Sequence, residues 1–547
     1  MNDTSVINTQ TLSRDASLNT LMYLSKYYDG VSDGTSVKSI VTQAQKNLEA
    51  EVRAYLAAGH TQEEVQKEFG DDLRKVTVLQ NAVKNDPGLG KLVIANQSAN
   101  MNDPATGMPY ESGGLNACTF QDKLDDPNSV TVVFRGTGGG EWYDNGLGLS
   151  GEMVATDQQI QATEYFDYIV EQNGWNASNP DIYITGHSKG GNKTQFVVMT
   201  SEYSDLIVNG YSLDGQCMSP EAIEYMKEKY GIDEYNKRRE KLFSISADND
   251  YVNVLGVNNV DGRLVPDDHI FYLESNLSGV AWHYPDCYMN EDGTITAFTE
   301  QGDNSKILQG ISEQTMDLPA PIRSIITNGA MGIAEMTLGN GKPVNGESFS
   351  YADIIAAVPL LLETIPGGLI EYLGDELGVN LDWLSNVVTA FNLIYFAPLN
   401  IAAYGLGAFI DLVIVAKEKI EQFGEKCKEI TAKIVEFIDN GVEKICNWYN
   451  KNFNGGFKYA TNHPQIKVDT YKLRDYASRI YDVNRRISNL DGRLDSLYWR
   501  VGLLDLWNLM QADLMTGYSW GLLRCSAYLS ETAADFDALE TKLGNCL

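Results

Sequence analysis

The pattern Gly-x-Ser-x-Gly occurs twice in the chain, at Gly186-His-Ser-Lys-Gly190 and at Gly517-Tyr-Ser-Trp-Gly521. The two settings differ. Into the first runs a strand-like alternation, Ile182-Tyr-Ile-Thr185, and out of it runs a helix-compatible stretch from Asn192 to Thr200. Strand, tight turn and helix in that order present a serine as a nucleophile. The turn strains the serine backbone and leaves no room for side chains two residues before and after it. Gly186 and Gly190 meet that demand, and Gly191 lets the helix pack close. The second copy follows a helical heptad run, lacks a strand and carries bulky aromatics inside the turn, so Ser519 is not read as a nucleophile.

A serine hydroxyl needs a histidine base, itself oriented by a carboxylate. The chain has five histidines. His60 falls among N-terminal helices and His463 in a linker, where both read as exposed. His187 adjoins the serine but points away from it in a tight turn, which makes it a packing residue. His283, in Ala281-Trp-His-Tyr-Pro-Asp286, is the preferred base, with His269 in Asp267-Asp-His-Ile-Phe-Tyr272 as runner-up. The chain order serine, acid, histidine confines the acid to the stretch between them. Asp250 and Asp248 directly follow the strand-like Lys241–Ser246, and Asp214 ends the strand before. Acyl transfer also needs an oxyanion hole. The backbone N–H of Lys189 supplies one donor, and the loop Arg135-Gly136-Thr137 supplies another, with a hydroxyl as well as an N–H. Such chemistry requires no metal and no organic cofactor. Seven scattered cysteines without a C-x-x-C spacing give neither a zinc site nor a disulfide framework.

These residues need a scaffold. Residues 1–85 read as helical: apolar spacing runs from Val37 to Leu56, and Thr61-Gln-Glu-Glu64 has capping-box form. From 86 to 300 short β-rich runs (92–95, 117–120, 129–134, 182–185, 207–213, 241–246) alternate with helices near 156–172 and 221–229. That alternation predicts an α/β domain with a mostly parallel sheet, whose chemistry sits at the carboxyl ends of its strands. Residues 301–455 read as apolar and helical. Within them Trp383–Ile410 holds 28 residues without a charge, a length that suits a bilayer span. Its asparagines, glycines and Pro398 favour instead a buried helical pair or a segment that inserts conditionally. Residues 466–547 carry two heptad series, from Leu473 to Leu504 and from Leu522 to Leu543, which predict a long antiparallel helical hairpin suited to docking on other helices.

The net charge of −32 argues against nucleic-acid binding and, on average, against anionic lipid surfaces. The N-terminus has neither the basic nor the apolar region of a signal peptide, so residence in the cytoplasm or export by a route without one is expected.

Phe134-Arg-Gly-Thr137 with Trp142, then Gly186-His-Ser-Lys-Gly-Gly-Asn192, then Asp250-Tyr-Val252 resembles the class 3 lipase-like branch of the α/β-hydrolases over about residues 90–300. The resemblance implies Ser188 as nucleophile, Asp250 as acid, His283 as base, and Thr137 with Lys189 as oxyanion donors. Leu213-Asp-Gly-Gln-Cys217 departs from the D-G-P-G form of that branch, which bears on the pocket rather than on the triad. The C-terminal hairpin is similar to the LXG and WXG-type domains of type VII secretion substrates of Gram-positive bacteria, here in reversed order. That likeness implies export without a signal peptide, docking to small helical WXG-type chaperones, a possible immunity protein as partner, and a lipid or other acyl-ester substrate at membranes. The Y-x-x-x-D match at Tyr471–Asp475 precedes the hairpin and carries no weight among 30 tyrosines.

Overall fold

The computed structural model describes Thr4 and residues 7–338, except 104–106, 259–261 and 319. By internal contacts the chain divides into two compact units, Met1–Phe457 and Lys458–Leu547, and the described residues belong to the first. The expected hairpin, the apolar run 383–410 and the second Gly-x-Ser-x-Gly lie outside the described residues.

Among these residues the fold is mixed α/β, with eleven α-helices and one eight-stranded sheet. The strands are β1 (Val93–Ala95), β2 (Ala117–Gln121), β3 (Ser129–Phe134), β4 (Asp181–His187), β5 (Ile207–Leu213), β6 (Leu242–Ala247), β7 (Ile270–Leu273) and β8 (Phe298–Thr299), and they lie side by side in sequence order. From β3 to β7 every neighbour is parallel; the pairs β1–β2, β2–β3 and β7–β8 are antiparallel. The parallel strands are nearly continuous in apolar burial, as expected of strands covered on both faces.

Two helical layers supply that cover. On one face, α6 (Asp157–Asn173), α7 (Lys189–Thr200) and α8 (Pro220–Tyr230) bury Phe166, Ile169, Val197 and Met226 against Val132, Phe134, Ile182 and Ile184. On the other lie α1 (Thr9–Met22), α2 (Val37–Ala57) and α3 (Gln62–Asn85), whose Leu18, Met22, Ile40 and Leu79 share a core with Phe120 and Val133. Alternate residues of β3 thus serve opposite faces, the period-two rule of a strand. Leu12 and Ala16 of α1 reach further, to Ile245 and Phe271. The N-terminal helical segment is therefore a layer of the α/β unit, sharing its core.

Local rules account for the helix starts. Thr61 and Glu64 form the reciprocal capping box that the sequence predicts for α3, and Thr156 with Gln159 forms another at α6. Five helices complete the described chain, among them α4 (Pro87–Lys91), α5 (Trp142–Ser150), which follows the loop after β3, α9 (Ile232–Arg239) and α10 (Asp303–Met316). The last, α11 (Ala320–Leu338), packs along α5. Among the described residues, no helix is long and apolar enough to cross a membrane.

Candidate active site

β4 ends at His187 and α7 begins at Lys189, which leaves Ser188 alone in the turn at φ 59° and ψ −125°. Such a backbone is costly for a residue with a side chain and persists only where its surroundings enforce it. Here the enforcement is close approach. A Cβ on Gly186 would strike the backbone of Gly190, and one on Gly190 would strike the Phe134 carbonyl at the end of β3.

His283 Nε2 stands 2.8 Å from Ser188 Oγ, and His283 Nδ1 stands 2.6 Å from Asp250 Oδ1. The structure thus brings Ser188, His283 and Asp250 together in one hydrogen-bonded line. Asp250 lies in the turn after β6 and is wholly buried. Its Oδ2 accepts the backbone N–H groups of Val252, at 3.1 Å, and Asn253, at 2.6 Å, so both oxygens are satisfied. His283 ends a single turn, Gly279–His283, between β7 and β8. The Tyr251 hydroxyl donates to Val280 O at 3.1 Å and ties the acid's turn to the histidine's. Ser188 is 8% exposed and the His283 side chain 14%, so the line reaches the surface at its reactive end.

Of the expected oxyanion residues, Lys189 follows the serine directly, and Thr137 follows Gly136, which lies against it. Lys189 is the first residue of α7, where backbone N–H groups have no partner within the helix. Its side chain is buried, and its Nζ meets Asp144 Oδ1 at 2.6 Å beneath α5. That carboxylate also accepts from Thr156 Oγ1 and from the N–H of Gln158. Thr137 lies in the loop after β3, where its Oγ1 accepts from Asn145 Nδ2 at 2.8 Å. With that lone pair engaged, the hydroxyl proton is free to act as a donor. The loop is braced by Arg135 on Glu141 at 2.9 Å, and by Glu335 of α11, whose carboxylate accepts from the N–H of Gly140 at 3.0 and 3.1 Å.

The runners-up lie elsewhere. Asp248 Oδ1 accepts the N–H of Asn249 and is not brought to His283. His269 bonds Leu242 O through Nδ1 at 2.9 Å and stacks on Phe243 with ring centroids 4.3 Å apart, a structural role at the far end of β6. Asp214 is buried at φ 46°, takes the N–H of Ala247 at 2.8 Å, and faces His187 rather than His283. Burial first, and then the charge of Asp250, push its carboxyl well above the usual range.

Two participants lie outside the sequence expectation. His187, read as a packing residue, is indeed buried, but its Nδ1 bonds the Tyr23 hydroxyl at 2.7 Å. Its Nε2 lies 3.6 Å from Asp214 Oδ2, and its ring centroid is 4.8 Å from that of His283. Burial, then the neighbouring His283, depress its basicity, so the ring is neutral. Tyr23 caps α1, in the N-terminal segment read as helical. Its separation of 164 residues from His187 explains why no local spacing marks it. His187, Asp214 and His283 are the one set of described residues close enough to hold a metal ion, within 4.8 Å of one another. Both nitrogens of His283 are already committed, to Ser188 and Asp250, so a metal there would dismantle the line.

No curated protein and no solved structure matches the chain. Over residues 52–219, which include Thr137, Ser188 and Lys189 but not Tyr23, Asp250 or His283, the chain is similar to a family described as a domain of unknown function, DUF6792.

Proposed function

We propose that this chain is a serine carboxylic-ester hydrolase of the α/β-hydrolase kind, acting on membrane lipids as a lipase or phospholipase A. The observation that carries the reading is the Asp250–His283–Ser188 line, with its serine held at positive φ between a parallel strand and a helix. His283 Nε2 takes the proton as Ser188 Oγ attacks the ester carbonyl. The buried Asp250 carboxylate steadies the imidazolium, and the developing oxyanion turns toward Lys189 N–H and Thr137. His283 then returns the proton to the leaving alcohol, and water repeats the sequence to release the acid.

The lipid substrate rests on the class 3 lipase resemblance. Export by the type VII route, with helical chaperones docked on residues 466–547 and an immunity protein as possible partner, rests on the heptad series of the C-terminal region. The decisive experiment is labelling with a fluorophosphonate probe. Wild type labels and Ser188→Ala does not; an unlabelled wild type, or equal labelling of both, overturns the enzyme reading in favour of a secreted protein with an inert hydrolase fold. Turnover of micellar phospholipid above that of short soluble esters supports the lipid substrate, and the reverse order points to an esterase or thioesterase.

A further inference from the structure

Beside the catalytic line lies a second set of carboxyl, imidazole and hydroxyl: Asp214, His187 and Tyr23. Nothing in the mechanism above uses it. Its end lies at the reaction centre, because the Tyr23 hydroxyl and Ser188 flank the same backbone atom. A Cβ on Gly136, in the expected oxyanion loop, would collide with the Tyr23 hydroxyl on one side and stand 3.0 Å from Ser188 Cβ on the other.

Where the protons sit follows from hydrogen-bond satisfaction. His187 is buried, and its Nε2 makes no hydrogen bond of ordinary length among the described residues: Asp214 Oδ2, itself unpartnered, is 3.6 Å away, and the His283 backbone is its other polar neighbour. A proton on Nε2 would be a buried donor without an acceptor at ordinary hydrogen-bond distance, a costly arrangement. On Nδ1 the proton is used, donated across 2.7 Å to the Tyr23 oxygen. Gly136 lies directly against that oxygen. A phenol oxygen that accepts from the imidazole must find another acceptor for its own O–H. Burial, above all, holds the phenol protonated. The acceptor that arrives beside Ser188 in catalysis is the carbonyl oxygen of the substrate.

We propose that Tyr23 is a catalytic residue, a hydroxyl donor to the oxyanion that joins Lys189 N–H and Thr137, with His187 as the positioning residue that turns its O–H into the site. The proposal rests on the hydrolase reading. As Ser188 Oγ bonds to the carbonyl carbon, the C=O π pair moves onto oxygen. The Oγ proton goes to His283 Nε2, and the Tyr23 proton is shared but not transferred.

The test is Tyr23→Phe in the full chain, with a p-nitrophenyl ester as substrate and a trifluoromethyl ketone, whose adduct with serine is an oxyanion, as inhibitor. The expected result is a fall in kcat of about 100-fold, KM within about twofold, and a loss of inhibitor affinity that parallels the loss in kcat/KM. A variant that keeps its kcat and its inhibitor affinity overturns the proposal while leaving the hydrolase reading intact. A wild type inert to fluorophosphonate overturns both. If Tyr23→Phe fails to fold, 3-fluorotyrosine at position 23 keeps the shape and strengthens the O–H donor. Tighter ketone inhibition is then expected, and unchanged inhibition refutes the donor role.

Discussion

Asp250→Asn is the substitution whose outcome the geometry specifies most closely. The carboxylate has two unlike oxygens: Oδ1 meets His283 Nδ1 at 2.6 Å, and Oδ2 accepts the N–H groups of Val252 and Asn253. An amide in the same place must put its oxygen where those two N–H groups point, since an NH2 there would face two donors in a buried site. The NH2 group then faces His283 Nδ1, which becomes an acceptor, and the imidazole proton moves to Nε2. Nε2 now donates toward Ser188 Oγ and has no lone pair for the serine proton. The side chain stays in place and only the tautomer is wrong, a change worth about 10⁴ in kcat where a triad carboxylate is made an amide, or about 5.5 kcal/mol of barrier. Asp214→Asn leaves this tautomer untouched, because Asp214 faces His187. The assay is ester turnover at pH 7–8, with thermal denaturation to establish that both variants fold. An Asp250→Asn enzyme retaining more than a tenth of wild-type kcat would refute the reasoning.

Three further substitutions probe groups away from the triad. Asp15 of α1 is buried with Oδ2 unpartnered, and burial raises its carboxyl to about 8. Its folded pKa thus exceeds the unfolded value of about 4, and the group's contribution, intact below pH 4, is lost at up to about 1.4 kcal/mol per unit as pH rises to 8. Asp15→Asn should outlast wild type in urea by a margin that widens from pH 4 to pH 8 and then levels off; parallel pH profiles would show the assignment to be wrong. Arg74 of α3 grips the fully buried Asp286 carboxylate, just past His283, at 2.7 Å. Arg74→Ala strands that charge and should cost about 3–5 kcal/mol, read from the denaturation midpoint; a loss under 1 kcal/mol would mean the carboxylate finds another donor. His269→Phe keeps the stack on Phe243 and loses one hydrogen bond to Leu242 O. Ester turnover should be unchanged and stability lower by about 1 kcal/mol; loss of turnover would return His269 to contention as the base.

What was legible in the sequence is what depends on neighbours along the chain. The elbow is a local demand for missing side chains at Gly186 and Gly190, and the α/β class follows from alternating periods. The choice between Asp248 and Asp250 required the turn after β6, because only at 250 do the following backbone N–H groups converge on the carboxylate. The loop around His283 marks it as a base, but its approach to Ser188 depends on a single turn of backbone held by Tyr251. Tyr23 was illegible. A tyrosine at a helix end has no pattern of its own, and the period of α1 gives its apolar stripe without saying what the stripe covers. The same limit hid the role of α1–α3 as a layer on the sheet.

That layer governs when the site comes into being. Thr20 of α1 donates to Pro285 O across 265 residues of chain, Asn19 bonds Thr185 across 166, and Arg74 bonds Asp286 across 212. Helices α1 and α3, which precede these partners in the chain, thus wait for parts of the described unit made much later. Contacts of such separation are slow to form, because the loop they close must be ordered before it is rewarded. During synthesis the elbow emerges well before His283, so the nascent chain carries a serine with no base. Reactivity arrives as one late event, when the 283–289 segment docks on helices made hundreds of residues earlier. A fragment begun at residue 86 would lack the buried apolar residues of α1–α3, each worth about 1.5–3 kcal/mol, and is expected to be insoluble rather than merely inactive.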